Sequence, residues 1–361
     1  MKQFQLKALI LSVAILSVLS ACRKDNTNPT PTEPVAERAG VYVLNQGNFN
    51  ANNSTLSFYN YATKVNTSDR FAAVNGNKIG DTGQDAKIYG SKMYIVVNVS
   101  STIEIVDAKT TRSIKQVKMV NGATARQPRY VVFNKNKAYI SSYDGTVAVL
   151  DTATLAIEKY ITVGRNPEQM VISNNKLYVA NSGGLSFGNP DKTVSVVDLN
   201  TLTEAKKITV IANPVSMAAD NYGHVYVLST GDYKLILPGM TIIDNTTDAV
   251  TSQSTTLAGA YNTSIIVSGD SAYFLSADNK VTVYDVKGQK IAKDNFITDG
   301  TAIVSPYQIA YDATTGEVFV ADAKDYATNG ELFAFDKNGK IKTGYPIATG
   351  INPGTIVFVN K

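Results

Sequence analysis

"INPGTIVFVNK", residues Ile351 to Lys361, is the start of a unit whose second half does not follow. Elsewhere the same Asn-Pro opening runs on into a second strand, as in "RNPEQMVISNNKLYVANS" from Arg165 to Ser182. Both stretches carry the β-branched, alternating pattern of strands bounded by turn residues. A single strand with no hairpin partner leaves unpaired backbone groups along its edge. Its partner must therefore lie elsewhere in the chain.

The candidates form a series. A strand of the form apolar-Tyr-apolar-apolar recurs as "VYVLNQ" at Val41, "MYIVVN" at Met93, "AYISSY" at Ala138, "LYVANS" at Leu177, "VYVLST" at Val225 and "AYFLSA" at Ala272. A seventh copy, "VFVADA" at Val318, has Phe in place of Tyr. Each later copy is followed by an alternating strand that ends in Asp, at Asp107, Asp151, Asp198, Asp244, Asp285 and Asp336, with spacings of 44, 47, 46, 41 and 51. The first copy ends instead in Asn60. Periods of about 40 to 50 residues with two-residue alternation indicate propeller blades of four strands.

Six of the seven tyrosine-type strands follow a strand opened by Gln84-Asp85, Gln127-Pro128, Asn166-Pro167, Asn213-Pro214, Asn262-Thr263 or Ser305-Pro306. The strand at Val41 has no such predecessor, and "NPGTIVFV" is the strand it lacks. The expected fold is all-β, a seven-bladed β-propeller over residues 40–361 with the C-terminal strand closing the first blade.

The N-terminal region reads differently. Lys2 and Lys7 precede a twelve-residue apolar run from Ala8 to Leu19. That run is shorter than the roughly 20 residues of a spanning helix and has the form of a signal peptide, residues 1–21. The Leu19-Ser20-Ala21-Cys22 sequence resembles the lipobox of bacterial lipoproteins, which implies lipid attachment at Cys22. "RKDN" after it loosely resembles surface-export signals of some Gram-negative lipoproteins. Residues 22–39 then form a Pro-rich tether, so the membrane is expected to be met through the lipid alone. The net charge of +4 falls to +2 without Lys2 and Lys7, and the basic residues are scattered, so nucleic acid is not an expected partner.

The copy "LYVANSGGLSFGNPDKTVSVVDLNTL" resembles the YVTN-type repeats of YncE-like seven-bladed propellers. The opening "GVYVLNQGNFNANNSTLSFYNY" resembles a narrower group, surface propeller lipoproteins encoded beside outer-membrane transporters. Its best understood members are BtuG-like proteins, which capture corrinoids such as vitamin B12 for the cobalamin transporter. The resemblance implies an outer-membrane, surface-exposed lipoprotein, a corrinoid ligand and a TonB-dependent transporter as partner.

In a four-stranded blade, one face of the disc receives the blade-to-blade links and the loops between second and third strands. The long loops "NQGNFNANNST" at Asn45, "NSGGLSFGNPDKT" at Asn181, "STGDYKLILPGM" at Ser229 and "DAKDYATNGE" at Asp322 all belong to that face. Long loops on a rigid scaffold are where binding concentrates. The expected ligand-contacting residues are Gln46, Asn48, Phe49, Tyr143, Phe187, Tyr233, Tyr307 and Tyr326. Asp85, Arg129 and Glu168 join them beside the inner strand openings. Aromatic and amide groups together suit a large, flat, amide-rimmed ligand. The strand tyrosines, by contrast, belong to the core.

Catalysis finds little footing. His224 is the only histidine and Cys22 the only cysteine, which rules out multi-His metal sites and disulfides. His224 sits in a turn on the face away from the long loops, where a Ser-His-Asp site could not use it. The chain has no Trp, unlike quinone-cofactor propellers that dock blades with tryptophan motifs. The repeated strand-end aspartates stand before Thr- and Asn-containing turns and are expected to cap them. The oxygen-rich 322–331 loop, with Asp322, Asp325, Asn329 and Glu331, lacks EF-hand spacing, so a calcium site is not expected there. No other metal and no cofactor is expected either. Besides ligand capture, two alternatives stand: a protein-interaction platform in an envelope complex, and a lactonase-like hydrolase using Glu168 and Asp85.

Overall fold

Strand Pro353–Asn360 pairs antiparallel with Arg38–Asn45, placing Val357 opposite Tyr42 and Ile356 opposite Val43. The last strand of the chain thus completes the first blade. The computed structural model describes residues 37–257, 263–276 and 278–361. Cys22, the signal peptide and most of the tether lie outside the described residues, as does Asn262 of one blade opening. The first strand begins at Arg38, slightly ahead of the expected Gly40.

Seven four-stranded sheets make up the described domain. Their innermost strands are Pro353–Asn360, Gly83–Tyr89, Pro128–Asn134, Pro167–Ser173, Pro214–Ala219, Ile265–Ser268 and Pro306–Asp312. Each lies against the next around a central channel. Seven apolar clusters fill the spaces between successive blades, and the seventh joins Val41 and Val43 of the first blade to Phe319, Leu332 and Ala334 of the last. Stability is therefore spread around the ring, each blade burying its faces against two neighbours.

The two sequence repeats serve this stacking. Asp107 accepts backbone N–H bonds from Lys109 and Thr110, closing the turn after its strand, and Asp151, Asp198, Asp244, Asp285 and Asp336 do the same. Three of the strand tyrosines, Tyr42, Tyr178 and Tyr226, reach across to the next blade with their hydroxyls, whereas the buried Tyr94 hydroxyl has no hydrogen-bond partner among the described residues. The Tyr42 hydroxyl donates to the Ala108 carbonyl at 3.1 Å, and Tyr178 donates to Asp248 at 2.5 Å. A buried phenol thus gains both apolar contact and a satisfied hydroxyl.

Two small elements have no counterpart in the repeat. A helix at Arg70–Asn75 is capped by Asp69, whose side chain accepts from the Ala72 N–H, and ended by Gly76 at φ 73°. A two-stranded ribbon pairs Val120–Asn121 with Thr124–Ala125.

Candidate functional site

The Asn-Pro openings have a conformational cause. The residue before the inner strand is left-handed in five blades: Thr82 at φ 60°, Gln127 at 55°, Asn166 at 44°, Asn213 at 59° and Asn352 at 53°. Asn tolerates this region better than most residues, and Pro fixes the extended strand start that follows. Each reversed residue turns its carbonyl toward the neighbouring loop. There it accepts the N–H of the first loop residue after the tyrosine strand: Asn98 to Thr82 at 2.8 Å, Tyr143 to Gln127 at 3.0 Å, Ser182 to Asn166 at 3.2 Å, Thr230 to Asn213 at 3.0 Å and Gln46 to Asn352 at 2.9 Å. This repeated bond fixes two rings of side chains at the channel mouth.

These rings enclose a cup of about 450 Å³. Gln46, Phe49, Arg129, Tyr143, Glu168 and Tyr307, all expected from the sequence, line it. So do Gln84, Asn98, Tyr130, Gln169, Thr263 and Asn352, which sequence reasoning did not select. Their signal was nearness to the strand openings and to the ends of the tyrosine strands, but for Tyr130 and Gln169 a register shift between Pro128 and Val131, repeated between Pro167 and Met170, hides which residue faces the mouth.

One hydrogen-bonded chain organises the cup wall. Arg129 grips Glu168 with Nε at 2.9 Å from Oε2 and Nη2 at 3.2 Å from Oε1, and its Nη1 donates to Gln84. The Tyr143 hydroxyl donates to Glu168 Oε1 at 2.6 Å, while the Arg129 guanidinium lies 4.5 Å from the Tyr143 ring centre. Gln84 Nε2 donates to the Tyr130 hydroxyl at 3.0 Å. Burial opposes the Arg129 charge, but Glu168 and the surrounding tyrosines hold its pKa above the ordinary value. Burial pushes the Tyr143 and Tyr307 phenols up, so both stay protonated donors. Opposite, Tyr307 donates to Gln46 Oε1 at 2.8 Å, and Tyr326 meets the Tyr307 ring edge-on at 6.0 Å. The cup is thus charge-compensated, rigid and rich in amide and phenol groups. Thr263 and Asn352 are among its lining residues, and their buried Oγ1 and Oδ1 atoms have no hydrogen-bond partner among the described residues.

The rim is less even. Phe49 is 70% exposed, yet its loop is pinned: Asp81 accepts the Asn50 and Asn52 N–H groups at 3.1 Å each, and Asn53 accepts that of Asn48 at 2.8 Å. Asn48 itself stands on this loop outside the cup lining. Phe187, at 94% exposure, and Tyr233 belong to the long loops of the fourth and fifth blades and do not line the cup. Asp85 is buried below the mouth, its carboxylate accepting the Ala86 and Val131 N–H groups at 3.0 Å each. The oxygens of the 322–331 loop are engaged locally. Asp322 accepts from the Ser305 and Lys324 backbones, and Asp325 accepts from those of Ala327 and Thr328. His224 lies at the opposite face with Nδ1 2.9 Å from Asp220.

A family described as "Domain of unknown function (DUF5074)" matches residues 39–359, almost the whole described chain. The chain belongs to the DUF5074 family. Similar solved structures include a quinoprotein alcohol dehydrogenase-like protein from Bacteroides thetaiotaomicron, at TM-score 0.64 and 18% identity, covering 89% of this chain and 78% of that one. Hydrazine synthase from Kuenenia stuttgartiensis aligns at TM-score 0.59 and 16% identity over 76% of this chain and 89% of that one. The computationally designed Ika8 protein aligns at TM-score 0.57 and 12% identity, over 90% of this DUF5074 chain and 98% of its own. At these identities the likeness is one of fold. No curated protein sequence matches the chain.

Proposed function

We propose that this DUF5074 propeller binds without turnover, its cup capturing one face of a large, uncharged ligand rimmed with amides or hydroxyls. A corrinoid is the ligand class to which the sequence resemblance points. The observation that carries the reading is Phe49, an exposed aromatic held on a pinned loop beside a wall whose one ion pair among the described residues is internally neutralised. A free charge would favour an ionic ligand; amides, phenols and one projecting ring favour stacking and neutral hydrogen bonds. A cup of about 450 Å³ takes part of such a molecule and leaves the rest above the rim.

By the same reading, the protein is a lipoprotein anchored through Cys22 at the outer membrane and passes its ligand to a TonB-dependent transporter. The first strand of the propeller starts at Arg38, at its end away from the cup. A second reading, an interaction platform, draws support from exposed Leu185, Phe187, Leu235 and Leu237 on the loops of the fourth and fifth blades. The hydrolytic alternative has less support, because Glu168 and Asp85 are both committed to fixed partners.

The test is calorimetric titration of the protein with cyanocobalamin and with cobinamide, followed in parallel by visible absorption. One-to-one binding, weakened about tenfold or more by loss of one stacking ring in Phe49→Ala, supports capture. No heat with either corrinoid removes that ligand class and leaves the interaction platform as the stronger reading.

A further inference from the structure

Below the cup the central channel widens to about 800 Å³ and opens on the opposite face of the disc. Its wall follows from one register position, the inner-strand residue paired with each strand tyrosine or its Phe equivalent. Val132, Val171, Ala218, Ile266, Ala310 and Val357 hold that position in six blades. In the remaining blade the residue opposite Tyr94 is Lys87. All seven line the channel.

A lysine in an apolar wall requires a reason, since an ammonium loses hydration there. The strand period puts Lys87 on the same side as Asp85, and each acts electrostatically on the other. Asp85 does not account for it fully. Both Asp85 oxygens are taken by backbone N–H groups, those of Ala86 and Val131, at 3.0 Å each. The Lys87 side chain forms no ion pair or hydrogen bond with any described residue. Arg38, the other cation lining the channel, is held by Asp312 at 2.6 Å and by Asn360. The channel thus combines a broad apolar wall with one uncommitted cation.

We propose that the lower channel is a second binding site, for a fatty-acid-like anionic amphiphile whose carboxylate pairs with Lys87 and whose alkyl chain lies on the apolar wall. The volume falls within the range of about 300–1,000 Å³ that small-molecule sites occupy. This proposal is independent of what the cup binds.

The experiment is calorimetric titration with dodecanoate below its micellar concentration. Saturable one-to-one binding is expected, at least tenfold weaker in Lys87→Met and at least tenfold weaker for hexanoate. Dodecyltrimethylammonium, with the same chain and the opposite charge, should not bind. Ala310→Phe, which fills the channel without altering charge, should also block dodecanoate, and it serves if Lys87→Met folds poorly. Phe49→Ala should leave dodecanoate binding unchanged. The proposal is overturned by absence of saturable binding, by equal affinity in Lys87→Met, or by equal binding of the cationic amphiphile. A loss of dodecanoate binding in Phe49→Ala would place it in the cup and overturn the channel assignment as well.

Discussion

The two ends of the central channel are built by the same seven strands and share almost nothing chemically. At the mouth, the residue after each opening differs in every blade: Gln84, Arg129, Glu168, Val215, Thr263, Tyr307 and Gly354. Three residues further along the strands, the same blades present apolar side chains with the exception of Lys87. Repetition maintains what each blade needs from its neighbour, namely apolar packing, tyrosine bridges and capped turns. Departure from repetition marks positions that neighbour-packing does not dictate. By that criterion the mouth is one site with many departures, and the lower channel is a uniform wall with one.

The largest effect should come from breaking the mouth's ion pair. Glu168→Ala leaves Arg129 buried without its carboxylate and removes the acceptor of the Tyr143 hydroxyl. A stability loss of about 3 kcal/mol is expected, read as a lowered denaturant midpoint. Glu168→Gln keeps one oxygen that can accept from Tyr143 and from Arg129 Nη2 but turns an amide NH2 toward Arg129 Nε, so it should lose less than the alanine variant without matching the parent. If Glu168→Ala is as stable as the parent, the pair is not part of the rigid wall and the contrast with the lower channel weakens.

A smaller effect belongs to the seam where the ring closes. Arg38 of the first blade contacts Asp312 of the last with Nε at 3.1 Å and Nη2 at 2.6 Å. Burial tends to raise the Asp312 pKa, but the Arg38 hydrogen bonds and the Thr314 N–H outweigh it and hold the pKa below the ordinary value. A carboxyl with a depressed native pKa contributes stability above its unfolded value, about 3.9. That contribution is lost as pH falls through the lower native value. Acid should therefore loosen the seam below about pH 4. Arg38→Ala should cost about 2 kcal/mol at neutral pH and flatten this part of the acid profile. Parallel acid profiles for parent and variant would show that the seam is held by strand pairing and apolar packing alone.

Much of the fold was legible because its signals recur. A strand tyrosine, a terminal Asp and an Asn-Pro opening mean little once, but at a period of about 45 residues they specify blades, and the orphan strand at Asn352 specifies closure. The cup was legible only in part. Arg129, Glu168, Tyr143, Tyr307, Gln46 and Phe49 could be picked out by residue type at known loop and strand positions. Tyr130 and Gln169 could not, because the bulge at the inner-strand start breaks the alternation that assigns residues to faces. Loop length brought Phe187 and Tyr233 into the expected set although neither lines the cup, since length reports that a loop projects but not in which direction. Lys87 was legible as a residue and not as an exception until the pairing register aligned it with six apolar equivalents.

The smallest effect on the fold, and the sharpest on function, separates two exposed phenylalanines. Phe49 and Phe187 are both long-loop aromatics, exposed by 70% and 94%, and neither belongs to an apolar core cluster. Replacing either with Ala should leave thermal stability nearly unchanged, as surface substitutions usually do. Their loops differ in what holds them and where they point. Asp81 fixes the Phe49 loop through two backbone N–H bonds, and Phe49 lines the cup. The Phe187 loop is tied by Arg165 to the Ser186 hydroxyl and the Asn189 carbonyl, away from the cup lining. If the cup is the capture site, Phe49→Ala should weaken cyanocobalamin about tenfold and Phe187→Ala by less than about threefold, the difference of one stacking ring. The reverse order would move the ligand onto the fourth and fifth blades, because the rim rather than the mouth would then supply the stacking surface.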